Sequence, residues 1–360
     1  MKLVVMGGYG TFGSLVAQEL AYRGVNVVIA GRDAAKAEAF AGSLGSQHSG
    51  TFVDVADLTS CRAALKDTTV AVNCAGPFNT LGTALLDACL AEHCHYVDIA
   101  DDRGYVQKVR SYSERFRNVD RAAVYGCSSL PGISGALAIK ACSNIDERPQ
   151  RARVTLFIGN KNPKGVAAVR SLVGGLGKPL AAPQGVLGGF ADREVVSLPP
   201  PFGRRGVFNF DSPEYDLFPD LLGVRSVSVK VGFELGIATY ALAAMACLST
   251  RWGRRSALLL TRCGNWFRRL GNSGGAVMTE VFWADGTVRR ASLHTSHHGQ
   301  RMAALPCAFA AHAMCEQQTN ASGALTVYEL LGSEALLRGL TAEGFELTVA
   351  NKLAHASADS

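Results

Sequence analysis

The chain has 360 residues, 48% hydrophobic and 18% charged, which suits two units with cores of their own and excludes a disordered protein. Its net charge of +6 sits in the second half: residues 1–125 hold 12 Lys/Arg against 13 Asp/Glu, and the remainder 24 against 17. No Lys/Arg-rich run with interleaved aromatics occurs, so no nucleic-acid partner is expected. Ten cysteines are scattered without a C-x-x-C pair, and the first strand already begins at Lys2. A reduced, cytoplasmic protein without a metal site is therefore expected. His93-Cys94-His95 reads as structural, because ligands this close in sequence rarely converge on one ion.

The apolar run Leu3–Met6 reads as a buried parallel strand. It opens into Gly8-x-Gly10-x-x-Gly13, with Gly7, Tyr9, Thr11 and Phe12 in the same turn, and a helix follows from Ser14. Strand, glycine turn and helix form the context in which this spacing binds a dinucleotide. One glycine allows the turn, one lets the pyrophosphate approach the backbone, and one lets helix and strand pack closely. The second strand, Val25–Ala30, ends in Gly31-Arg32-Asp33, where NAD-selective sites place an acid for the ribose 2′-OH. An arginine there grips a 2′-phosphate instead, so NADP(H) is the expected cofactor. Asp33 reads as the cap of a helix over 34–44.

A third strand ends at Asp54-Val55, where the acid reaches the adenine or caps the next helix. The fourth runs into Asn73-Cys74-Ala75-Gly76-Pro77-Phe78, small residues that let the backbone pass under the nicotinamide half. His95–Asp98 and Arg121–Tyr125 supply strands five and six. The predicted fold is α/β, a doubly wound parallel Rossmann sheet followed by an α+β substrate and dimerisation domain. Tyr96, Asp98, Asp101 and Asp102 flank the carboxyl ends of the strands, where open sheets bind ligands, and are the candidate catalytic residues.

Gly8–Gly13, Ile29-Ala-Gly-Arg32, Asn73–Phe78, Tyr96-Val-Asp98 and Pro131-Gly-Ile-Ser134 together resemble the saccharopine dehydrogenase-like reductases over residues 1–140. The resemblance implies an NADP-binding Rossmann domain, an α/β second domain, and reduction of a C=N bond or, in a few relatives, a C=C bond. Amino-acid-handling members typically read Gly-Leu-Asp-Pro-Gly-Ile-Asp-His where this chain reads Ser128-Ser-Leu130-Pro-Gly-Ile-Ser134-Gly135. Loss of those polar groups points to a small, rather apolar substrate. Two other readings stay open: a non-catalytic, regulatory NADP-binding protein, and a membrane-associated reductase of lipids.

The expected division is 1–143 for the Rossmann domain, 144–350 for the second domain and 351–360 for a polar tail. A strand over 153–158, a turn with Lys161 and Lys164 able to meet an anion, and a helix over 166–176 open the second domain. Residues 177–222 are rich in Pro and Gly and lack periodicity, as a lid or subunit contact would. A strand over 224–231 precedes an apolar helix over 234–248. Residues 251–270 then carry six arginines and no acid, with Trp252, Leu259, Cys263, Trp266 and Leu270 on one face. Such a stripe packs on the core or a sister subunit, giving a homodimer, or touches an anionic membrane or substrate. A hairpin turns at Asp285-Gly286 and leads to His294, His297 and His298, which are polar surface or proton carriers. Pro306 opens a helix, and the remaining units are expected to pack on the second domain.

Overall fold

A computed structural model describes residues 2–163, 165–248, 254–316 and 320–353. Lys164, residues 251–253 with Trp252, and the tail beyond 353 lie outside the described residues.

The first 142 residues alternate strand and helix. They run β1 (Leu3–Met6), α1 (Gly13–Tyr22), β2 (Val27–Gly31), α2 (Ala34–Leu44), β3 (Ser49–Phe52) and α3 (Leu58–Leu65). The series continues with β4 (Val70–Asn73), α4 (Ala84–Ala91), β5 (His95–Asp98), α5 (Arg103–Ser111), α6 (Ser113–Arg117), β6 (Ala122–Tyr125) and α7 (Ser134–Cys142). The central strands β1, β4 and β6 are buried throughout, as expected for a parallel sheet covered on both faces. Acidic side chains start the helices: Asp33 accepts from the Lys36 N–H, Asp57 from Thr59, and Asp102 from Tyr105. Asp57 thus caps α3, and Asp54 instead closes a turn on the Ala56 N–H.

The following elements are β7 (Arg151–Ile158), α8 (Val166–Gly175), β8 (Pro179–Ala182), β9 (Gly185–Gly188), β10 (Glu194–Ser197) and β11 (Arg204–Asn209). Then come α9 (Glu214–Leu222), β12 (Ser226–Phe233), α10 (Gly236–Leu248), α11 (Arg254–Trp266), β13 (Gly275–Phe282) and β14 (Thr287–Thr295). The chain closes with α12 (Gly299–Cys315), β15 (Gly323–Thr326), α13 (Val327–Leu331), α14 (Ser333–Ala342) and β16 (Glu346–Leu353).

Two seven-stranded sheets result. The first has the order β15-β6-β5-β4-β1-β2-β3 and every pairing in it is parallel. The second has the order β10-β11-β12-β7-β13-β14-β16 and is antiparallel except for β12 on β7. The α/β reading with a doubly wound Rossmann sheet and a second α+β unit is therefore observed.

Three expectations are corrected. Residues 177–222 are not an unstructured lid: they form the β8–β9 hairpin, the edge strand β10 with its neighbour β11, and α9. The strands are four to six residues long and interrupted by Gly and Pro, which erases a period-2 signal. The C-terminal end is shared between the units: β16 does join the second sheet beside β14, but β15 adds the seventh strand to the first sheet beside β6. Pro306 lies inside α12, which begins at Gly299 directly after His298 in the left-handed region.

Candidate functional site

The order of the first sheet reverses direction between β1 and β4, and the loops leaving their carboxyl ends make the crevice in which such sheets bind ligands. In the loop after β1, Gly7 and Gly8 both donate to the Ala30 carbonyl, and Gly10 donates back to Gly7. A side chain on Gly13 would place its Cβ 2.1 Å from the Gly7 carbonyl, so α1 could not approach the loop. Gly10 is exposed, and a Cβ there would meet only the Gly7 oxygen, at 3.0 Å. Phe12 provides no side-chain cap for α1, and no acid occupies its first turn. Backbone N–H groups at the positive end of a helix are thereby left for a phosphate. These residues fit the pyrophosphate of a dinucleotide.

At the end of β2, the Tyr9 ring fills the space beside Gly31, where a Cβ would lie 2.4 Å from it, and its hydroxyl accepts from the Asp33 N–H. Asp33 is spent on capping α2 and on Lys36, at 3.0 Å, and these contacts hold its carboxyl below the ordinary range. Arg32 is exposed with no ion pair among the described residues, so its guanidinium is free for a 2′-phosphate. Val55 packs against the core. Asp54 folds back onto the Ala56 N–H.

The loop after β4 is fixed from beneath. The Asn73 side-chain oxygen Oδ1 accepts from the Ala75 N–H, and its side-chain NH2 donates to the hydroxyls of Tyr96 and Tyr105, which are 2.9 Å apart. Phe78 tilts against Tyr105 with centroids 5.2 Å apart. Asn73 and Tyr96 are fully buried. This corrects the candidate role of Tyr96, whose hydroxyl supports Ala75, Gly76, Pro77 and Phe78 rather than reaching a substrate. Tyr105 and the supporting role of Asn73 are not among the sequence-based expectations; the cue is an amide ending a buried strand just before a run of small residues.

Asp98 is likewise a positioning residue. It is fully buried, with one oxygen accepting from the Ala100 and Gly126 N–H groups at 2.9 and 2.8 Å and the other without a hydrogen bond. Burial pushes its carboxyl up to about 6. Asp102 caps α5. Asp101 and Asp102 both line a cavity; the Asp101 carboxylate, held by its own backbone N–H, has no other hydrogen bond among the described residues, and burial raises it to about 6.

That cavity, about 240 Å³, lies between the two units. Asn79 and Asp101–Arg103 come from the first; Leu172, Leu176, Leu180, Phe190 and Phe210 give it apolar walls from the second. Lys178 stands exposed at its rim without an ion pair among the described residues. Arg103 is already committed: it grips Asp216 with two nitrogens, meets Asp211 at 3.2 Å and the Ala181 carbonyl at 2.6 Å, and lies over the Tyr215 ring. It ties the two units together at the cavity wall. The second unit also reaches the dinucleotide loop, since a Cβ on Gly165, just before α8, would sit 2.9 Å from the Thr11 hydroxyl.

Leu130 and Ser134, whose identities suggested an apolar substrate, are buried and do not line the cavity. Ser134 instead donates to Glu214, a fully buried acid that also accepts from Ser212. His294 is buried on β14 beside Glu346, and neither it nor His297 and His298 lines the cavity. His95 accepts from the Ala122 N–H across β5 and β6, and burial with Arg121 nearby lowers it to about 4.

Residues 3–124 match the family model of the saccharopine dehydrogenase NADP binding domain, so the first unit is an NADP-binding domain of that type and NADP(H) is its cofactor. No curated protein sequence matches the chain. Among solved structures, saccharopine dehydrogenase (L-Glu forming) from Saccharomyces cerevisiae superposes with a TM-score of 0.68 over 98% of this chain and 99% of that one, at 13% identity. The whole chain thus has the saccharopine dehydrogenase fold. Serine dehydrogenase from Escherichia coli (TM-score 0.29, 16% identity, 35% and 81% covered) is similar over a smaller region. A short-chain type dehydrogenase/reductase from Mycobacterium ulcerans (0.30, 15%, 34% and 65%) is similar to a comparable extent.

Proposed function

We propose that the chain is an NADP(H)-dependent oxidoreductase that reduces the C=N bond of a small, largely apolar metabolite, with Asp101 as the proton carrier. The observation that carries this reading is the position of Asp101 in a cavity closed by both units beside the nicotinamide-side loop, its carboxylate held by its own backbone N–H and by no other hydrogen bond among the described residues. Bound NADPH supplies the hydride. Asp101 then answers the second need: the carbon receives the hydride, the nitrogen receives the proton, and the amine leaves the cavity. A carboxylate also favours a cationic C=N group in a site of low polarity, whereas a C=C bond presents no such charge. Leu172, Leu176, Leu180, Phe190 and Phe210 exclude water, and Lys178 supplies one cationic contact for a substrate carboxylate at the rim.

Two tests separate the parts of this reading. NADPH oxidation is followed with mixtures of small aldehydes or ketones and amines, and with α,β-unsaturated carbonyls alone. Turnover with the mixtures and none with the enones is expected; the opposite pattern sinks the C=N assignment. Asp101→Asn is expected to keep NADPH affinity and lose about 10²–10⁴ in kcat, the usual worth of general acid catalysis.

A further inference from the structure

The second unit carries a surface whose polarity is reversed. From Gly236 to Leu248, α10 has no charged residue at all, and Ile237, Tyr240, Ala241, Ala244 and Leu248 recur at the spacing of one helix face. That face points outward: Ile237 is 88% and Leu248 80% exposed, while Thr239 and Leu242 turn inward. The neighbouring α11 repeats the pattern. Leu259, Cys263, Trp266 and, past the helix, Leu270 were expected to pack on a core if the stripe was structural. Instead Ala257 and Thr261 are buried, and Leu259 (63%), Trp266 (82%), Phe267 and Leu270 face solvent. Arg262 and Arg269 are exposed beside them, and residues 251–270 hold six arginines with no acid. The one acid at the start of α10, Glu234, is consumed by the Asn160 and Asn272 N–H groups and the Asn272 amide.

We propose that the outer face of α10 and α11 docks on an anionic membrane surface. A large exposed apolar patch in a water-facing protein marks a contact, and the charge around it decides with what. A second copy is disfavoured because a two-fold contact lays like patch on like patch, bringing arginines onto arginines with no acid to meet them. An anionic bilayer supplies the missing negative charge together with an apolar layer for Trp266, Phe267 and Leu259. No helix among the described residues is long and apolar enough to cross a membrane, so the contact is peripheral.

The full chain is sedimented with vesicles of 70% phosphatidylcholine and 30% phosphatidylglycerol, and with phosphatidylcholine alone. Binding to the anionic vesicles only, weakening as salt shortens the range of charge, is expected. Arg262→Glu and Arg269→Glu should each weaken it about fivefold or more, the worth of roughly one basic contact at such a surface. Trp266→Ser should release the protein without changing its circular dichroism or NADPH affinity, because the residue is exposed and outside the cofactor crevice. Failure to sediment, equal sedimentation with neutral vesicles, or arginine reversals without effect would overturn the proposal. So would a dimer in analytical ultracentrifugation that Trp266→Ser dissociates, since the patch would then be covered by a second copy.

Discussion

The two halves of the crevice are built by different means. The phosphate half is backbone: glycines without side chains, uncapped N–H groups and one carbonyl that receives two bonds. The cavity half is side chains, brought together from Asn79, Asp101, α8, the β8–β9 region and Phe210. A backbone site is specified by what is missing and tolerates no addition. A side-chain site is specified by burial and charge, and is tuned by single atoms.

Substitutions should expose this contrast. The largest effect is expected from Gly13→Val, which forces a side chain into the Gly7 carbonyl; we expect loss of NADPH binding in fluorescence titration and a fall in stability of about 3 kcal/mol or more, as overpacking against backbone allows little relief. Retained binding would show that the loop can open. Next comes Asp101. With its carboxyl near 6, it donates a proton below that pH and accepts one above it. The rate of reduction should therefore fall as pH rises through about 6, that of the reverse oxidation should rise, and Asp101→Asn should flatten both pH profiles. Unchanged profiles would remove Asp101 from the chemistry.

A smaller effect belongs to the phosphate half: Arg32→Ala should weaken NADPH binding by about 1–3 kcal/mol, a lost charge-assisted contact, and leave NADH binding nearly unchanged. Equal losses for both cofactors would mean that Arg32 does not read the 2′-phosphate. The last prediction bears on stability rather than on binding or rate, and concerns Asp98. Its folded carboxyl, near 6, lies above the ordinary 3.8, so the folded state holds an extra proton between these values. Stability is then highest below about pH 4 from this group and declines as pH rises through about 6, by at most about 3 kcal/mol. Asp98→Asn should remove that slope in urea titrations at pH 4 to 7; an unchanged slope would place its origin elsewhere.

The same contrast explains what could be read from the residues in order. Parallel strands buried on both faces appear as continuous apolar runs, and the glycine spacing has one steric meaning, so the first six strands and the NADP-binding loop were legible. Asp33, expected to cap α2, does so. Helix α8 was placed almost to the residue, because its N-terminal glycine and apolar spacing are local signals. The cavity was not legible beyond Asp101 and Asp102. Apart from Asn79 and Arg103, its other walls come from residues 171–211, whose short strands pair with distant partners and show no local period. Leu130 misled for a related reason: its chemistry was visible, but its burial in the core was set by α12 and α13, nearly two hundred residues later. The outward stripe of α11 failed in the opposite sense, since periodicity defines a face without saying which way it points.

Helix α8 is a shared partition. Its leading glycine abuts Thr11, its flank from Ser171 to Gly175 walls the cavity, and α11 packs along it. For protein engineering this makes it the wrong place to begin, because a change there alters cofactor seating, substrate shape and the outer layer at once. Lys178 and Leu180 border the cavity after the helix ends, and Phe190 borders it from beyond the β8–β9 hairpin. Selectivity should be recast at those positions, where one compartment can be redrawn while the other two keep their form.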